Sequence, residues 1–119
     1  MITGFTLINA DTDRPVAGFD PMPAGTVINL KKTGANLTIR ANVTGAGVKG
    51  VRFNLDNGKV THTERVPPYA LFGDNNGNYN AGVALRKTGA HQLNAVILTG
   101  AKGNEAGAGA GVSFTIINQ

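Results

Sequence analysis

The chain has no cysteine and no tryptophan, and Ser113 is its only serine. Lack of cysteine excludes disulfide staples, zinc–thiolate sites and thiol nucleophiles. Ser113 lies outside any G-x-S-x-G context, which argues against serine-nucleophile chemistry. His62 and His91 are the only histidines. No HxH or HExxH spacing joins them, and each reads as a residue on the surface of a strand. Charged residues make up only 15% of the chain, well below the usual quarter. The net charge of +4 is spread over Lys and Arg residues in runs no longer than two, and aromatics are 6%. That is not the clustered basic stripe with stacking aromatics that nucleic-acid binding needs. No apolar run approaches the ~18 residues of a membrane helix, so membrane insertion is not expected. Met1-Ile2-Thr3-Gly4 supplies neither the basic nor the apolar region of a signal peptide. The Gly-rich segments lack the G-K-[ST] ending of a phosphate loop.

What is present is a single domain's length, 119 residues, with a polar surface built from Asn, Thr and Gly. Period-two alternation dominates, and no amphipathic helix stands out. Strands are predicted over residues 3–10, 26–30, 37–43, 48–56, 60–66, 69–72, 81–85, 91–98 and 112–117. Phe5, Leu7, Ile39, Phe53, Leu93 and Phe114 fall on inward faces. Asn57-Gly58 tolerates the positive φ angles of a type I′ hairpin. Pro67-Pro68 ends a strand, and residues 31–36 read as a turn. Residues 73–80 read as a Gly/Asn loop, and 99–111, rich in Gly and Ala, as a flexible connection. Ile8, Val96, Leu98 and Ile117 fall out of phase, which fits either an apolar outer stripe or sheet faces that loops cover. Turn signals every 8–12 residues give an all-β fold, an antiparallel sandwich of seven to nine strands.

The order of three segments resembles bacterial immunoglobulin-like domains. These are Val48-Lys49-Gly50-Val51-Arg52-Phe53-Asn54-Leu55, then Thr63-Glu64-Arg65-Val66-Pro67-Pro68-Tyr69, then Gly89-Ala90-His91-Gln92-Leu93-Asn94-Ala95. The resemblance departs at one point. Such domains often carry a tryptophan before the G-x-H segment, and here Val83 stands in that region. The resemblance implies an immunoglobulin-like sandwich spanning residues 1–119, excised from a larger exported protein. It implies an extracellular or cell-surface location and a non-catalytic role in carbohydrate binding or surface attachment. Partners would then be a polysaccharide or a neighbouring protein domain. A passive spacer or protein-interaction domain is the alternative, and a small carboxylate-based enzyme a second one.

Three groups of residues are candidate sites. Asp74, Asn76 and Asn78 are spaced like the first ligands of a calcium loop. The glycine is misplaced for that motif and no bidentate Glu follows, so an Asx-rich turn explains them too. Asp11 and Asp13 offer a second carboxylate pair, with Asp20 as a possible neighbour in space; a solvated turn is their plainer reading. Tyr69, Tyr79 and Asn80, beside the same loop, suit sugar contacts through aromatic faces and amides, while core packing and loop closure account for them equally. No cofactor other than calcium is expected.

Overall fold

Ile39, Phe53 and Leu93 are fully buried and Phe114 is 2% exposed, so the inward faces read from the alternation are the core. The computed structural model describes residues 1–119 throughout. The chain order is β1 (Ile2–Asn9), β2 (Arg14–Pro15), β3 (Thr26–Asn29), the one-turn α1 (Leu30–Thr33), β4 (Leu37–Val43), β5 (Gly50–Leu55), β6 (Val60–Glu64), β7 (Tyr69–Ala70), β8 (Asp74–Asn75), β9 (Asn78–Tyr79), a 3₁₀ turn (Val83–Arg86), β10 (Gly89–Thr99) and β11 (Glu105–Ile117). One sheet runs β2-β1-β4-β7, the other β3-β11-β10-β5-β6, and β8-β9 form a separate ribbon. The two sheets share one apolar cluster, which makes the molecule an all-β sandwich. Each fully buried Leu, Ile or Phe in it contributes roughly 1.5–3 kcal/mol.

Nine strands lie in the two sheets, and the ribbon carries the total past the expected seven to nine. The sandwich is also not wholly antiparallel, because β3 runs parallel to β11, pairing Thr26 with Phe114 and Asn29 with Ile117. Between β5 and β6 the expected hairpin forms. Asp56, Asn57 and Gly58 take φ of 54°, 56° and 89°, and Lys59 N–H donates to the Asp56 carbonyl at 3.4 Å; the innermost ladder pair is Leu55 with Val60, so the primed turn sits within a four-residue loop.

Four local expectations are corrected. Residues 31–36 are not merely a turn. Asn29 Oδ1 accepts from Lys31 N–H at 3.1 Å and starts α1, which stops after one turn where Gly34 adopts φ +83°. Residues 73–80 contain the β8–β9 ribbon, closed by Asn76 and Gly77 with φ of 52° and 91°. Residues 81–85 are no strand; Val83–Arg86 forms a 3₁₀ turn that buries Leu85 and exposes Val83.

The fourth correction is the largest. Most of the Gly/Ala segment is ordered β11, 13 residues long, paired along the 11 residues of β10. At ~3.3 Å per residue such a strand is about 43 Å long, close to the 47 Å long axis of the molecule. Low side-chain complexity is compatible with a strand when a full-length neighbour supplies the ladder. The small residues are required there. A Cβ on Gly107 would sit 2.8 Å from Ile97 Cγ1, and one on Gly109 3.0 Å from the Ala95 carbonyl oxygen. A bulge sets Gly107 and Ala108 opposite the single residue Ile97. Of the two readings of the out-of-phase residues, the exposed stripe does not hold: Ile8 and Leu98 are buried and Val96 and Ile117 half-buried.

Candidate functional site

The β5–β6 hairpin, the segment after the 3₁₀ turn and the start of β10 meet at one end of the five-stranded sheet. There they frame a cleft of about 680 Å³, lined among others by Asp56, Lys59, Lys87, His91, Gln92 and Ser113. The turn positions Asp56, which takes φ +54° at the end of β5. Asn54 Oδ1 braces the same turn by accepting from Gly58 N–H at 2.6 Å. The pairing of β5 with the central β10 then carries Asp56 to His91 and Gln92.

His91 is the centre of the arrangement. Its Nδ1 lies 2.6 Å from Asp56 Oδ2 and its Nε2 lies 2.7 Å from the Lys87 carbonyl oxygen. Both ring nitrogens face acceptors, and the doubly protonated ring is the form that donates to both. The ring is 6% exposed as a residue and stacks on Phe114, with centroids 5.4 Å apart and planes 16° from parallel. It is therefore buried, not a strand-surface residue as read from the sequence. Burial pushes the Asp56 carboxyl up, but the Gln92 N–H, the His91 hydrogen bond, the His91 charge and the Lys59 charge outweigh it and hold the group below the ordinary Asp range. Gln92 N–H donates to Asp56 Oδ1 at 2.9 Å, so each carboxylate oxygen has a partner. The carboxylate is thus committed to holding the turn. Lys59 and Lys87 line the cleft with their charges not paired in any ion pair.

The sequence-derived sites form a different place. Asp13 Oδ1 accepts from Tyr79 N–H at 2.8 Å, so the turn after β1 and the β8–β9 ribbon do come together. Asp74 Oδ2 accepts from Gly77 N–H at 2.7 Å, the Asx turn foreseen for it. Both oxygens of Asp11 accept from Asn36 Nδ2, at 3.0 and 3.1 Å. Asn36 Oδ1 in turn accepts from Arg86 Nη2. Asp20 is elsewhere, accepting from Thr6 Oγ1 at 2.7 Å. Asn80 Nδ2 donates to the Phe72 carbonyl at 3.3 Å. Asn76 and Asn78 are exposed on the ribbon and Tyr79 half-buried. Tyr69 is separate from them, in a depression with Arg40, Asn42, Pro67 and Pro68. No three Asp, Glu, His or Cys side chains gather in a metal-holding cluster. His62 and His91 share no partner: His62 Nε2 lies 3.3 Å from Glu64 Oε2.

The cleft residues Asp56, Lys59, Lys87 and His91 were missed as a site. The one sequence signal was an Asp directly before Asn-Gly, whose partner lies 35 residues away. No protein-family model, no curated protein and no solved structure matches the chain.

Proposed function

We propose that this is a non-catalytic, immunoglobulin-like binding module of an exported bacterial protein, and that it attaches to acidic polysaccharide through the cleft of Lys59 and Lys87. The observation that carries this reading is the charge arrangement. Two unpaired lysines face a cleft whose one carboxylate, Asp56, is already engaged by His91 and the Gln92 N–H. Such a wall attracts carboxylates or sulfates, while Gln92, Ser113 and Thr88 supply neutral donors and acceptors for hydroxyls. Catalysis by paired carboxylates needs one free acid and one free base, and this cleft presents a single carboxylate with both oxygens occupied. The exported context rests on the resemblance of the three segments and on the low-charge, Asn/Thr/Gly surface.

Affinity electrophoresis tests the reading. A uronic-acid polysaccharide in the gel is expected to retard the protein, and a neutral glucan to leave it unaffected. The Lys59→Ala/Lys87→Ala double variant loses the retardation. Equal retention of the double variant, or none in the unmodified protein, overturns the proposal. Tyr79→Ala in the same gels decides whether the β8–β9 ribbon, with Asp74, Asn76, Asn78 and Asn80, is the sugar contact instead. A protein-interaction role is the second reading, favoured by the edge of β11, which β3 covers only at Phe114–Ile117 and where residues 106–109 and 111 are exposed.

A further inference from the structure

Asn57-Gly58 and Asn76-Gly77 are the two Asn-Gly sequences of the chain. Asn-Gly is the dipeptide most open to spontaneous deamidation, because glycine has no Cβ to hinder its nitrogen. In that reaction the glycine N–H loses its proton and the nitrogen attacks the carbonyl carbon of the Asn side chain. The new N–C bond closes a five-membered succinimide. The side-chain amide leaves as ammonia, taking up the proton that the nitrogen gave up. Water then opens either imide C–N bond, which gives Asp or isoaspartate and a new negative charge. All four residues are exposed, and neither glycine belongs to a strand, so water and base reach both places. The turns need these residues nonetheless. Asn57, Gly58, Asn76 and Gly77 all have positive φ, which Asn and Gly tolerate best.

In both turns the attacking nitrogen is already engaged. Gly58 N–H donates to Asn54 Oδ1 at 2.6 Å, and Gly77 N–H donates to Asp74 Oδ2 at 2.7 Å. Both bonds lie at the short end for N–H donors to oxygen. The acceptors come from two separate strands: Asn54 is an outward residue of β5, and Asp74 opens β8. An N–H held in this way must break its bond before solvent base can take the proton. Once deprotonated, the nitrogen faces an oxygen lone pair at close range, and at Asp74 a full negative charge. Both effects raise the barrier to ring closure. We infer that Asn54 and Asp74 guard the two Asn-Gly sequences against succinimide formation, so that the chain keeps these asparagines despite their exposure. The protection has its largest consequence at Asn57. That residue lines the cleft with Lys59 and Lys87, and a carboxylate formed there would offset the positive charge of the wall.

Peptide mapping by mass spectrometry after storage at mildly alkaline pH tests this, because deamidation raises the mass of the peptide that carries it. The folded chain is compared with the same chain in urea. Both asparagines deamidate in urea and stay intact in the folded chain over the same period. Asn54→Ala speeds the reaction about tenfold at Asn57, the effect of one ordinary hydrogen bond on a rate, and leaves Asn76 as slow as before. Asp74→Ala does the reverse, with a larger rise because the lost acceptor is charged. Asn54→Asp and Asp74→Asn keep an accepting oxygen and keep the protection. Deamidation of the folded chain at the urea rate, at either site, overturns the inference. So does a rate at Asn57 that Asn54→Ala leaves unchanged, or one at Asn76 that Asp74→Ala leaves unchanged. A variant that speeds both sites alike shows a loosened fold in place of a lost guard, and overturns it too.

Discussion

His91 Nδ1 lies 2.6 Å from Asp56 Oδ2, linking the start of β10 to the turn that closes β5 and β6. With the Lys87 carbonyl on its other nitrogen, His91 ties together all three segments that frame the cleft. The geometry of the cleft therefore depends on a buried polar residue, not only on the apolar core.

Replacing His91 with Ala leaves Asp56 without its ring partner and opens a void against Phe114. We expect a loss of roughly 1–3 kcal/mol from the unpaired partner, with more added by the void. Chemical denaturation read by circular dichroism measures it. Phe114 stacks on the ring, so near-ultraviolet signals should change as well.

Acid should weaken the same link. The Asp56 carboxyl titrates below its unfolded value, so its stabilisation is complete above the ordinary Asp value of about 3.9 and is lost as pH falls through the lower folded value. The melting temperature should drop in that window, and the drop should be smaller in Asp56→Asn. Equal acid sensitivity in that variant would remove Asp56 as the cause.

Phe53 is fully buried in the centre of the cluster. Phe53→Ala should cost about 3–5 kcal/mol in denaturant titration. A cost below ~1 kcal/mol would mean that the two sheets do not close on this side chain.

Gly50 lies where β5 meets the end of β6, and a Cβ there would be 2.8 Å from the Glu64 carbonyl oxygen. Backbone cannot yield as a flexible side chain does. Gly50→Ala should destabilise by about 1–3 kcal/mol, the usual overpacking cost, read by thermal melting.

Calcium should leave the melting temperature unchanged. Asp11, Asp13 and Asp74 already accept N–H donors from Asn36, Tyr79 and Gly77, and no three acidic groups converge. A rise with millimolar calcium that chelator reverses would show a site that these hydrogen bonds do not preclude.

Much of the sandwich is legible in the chain. Val51, Phe53 and Leu55 alternate with polar residues, and they are buried in that phase. Asn57-Gly58 turns as its tolerance of positive φ requires. These are local demands, so local sequence carries them. The cleft was not legible, because Asp56 and His91 are joined only through strand pairing, and nothing beside either one marks the other. Residues 81–85 misled for a related reason: their apolar residues suit a short strand or a single turn equally, and the turn is the form in which Leu85 is buried.

Alternation and turn chemistry in the chain determined two pleated layers, the inward set around Ile39 and Phe53, and the hairpin at Asn57-Gly58. Tertiary structure alone decided that the Gly/Ala run 105–111 is a strand, that β3 pairs in parallel with Phe114–Ile117 at the other end of β11, and that His91 is buried against Asp56. For β3, whose Thr-Val-Ile-Asn suits a strand by itself, only the direction of pairing was left open; for the other two the side chains are the reason. Small or polar side chains state little local preference, so their conformation is set by the neighbour that pairs with them.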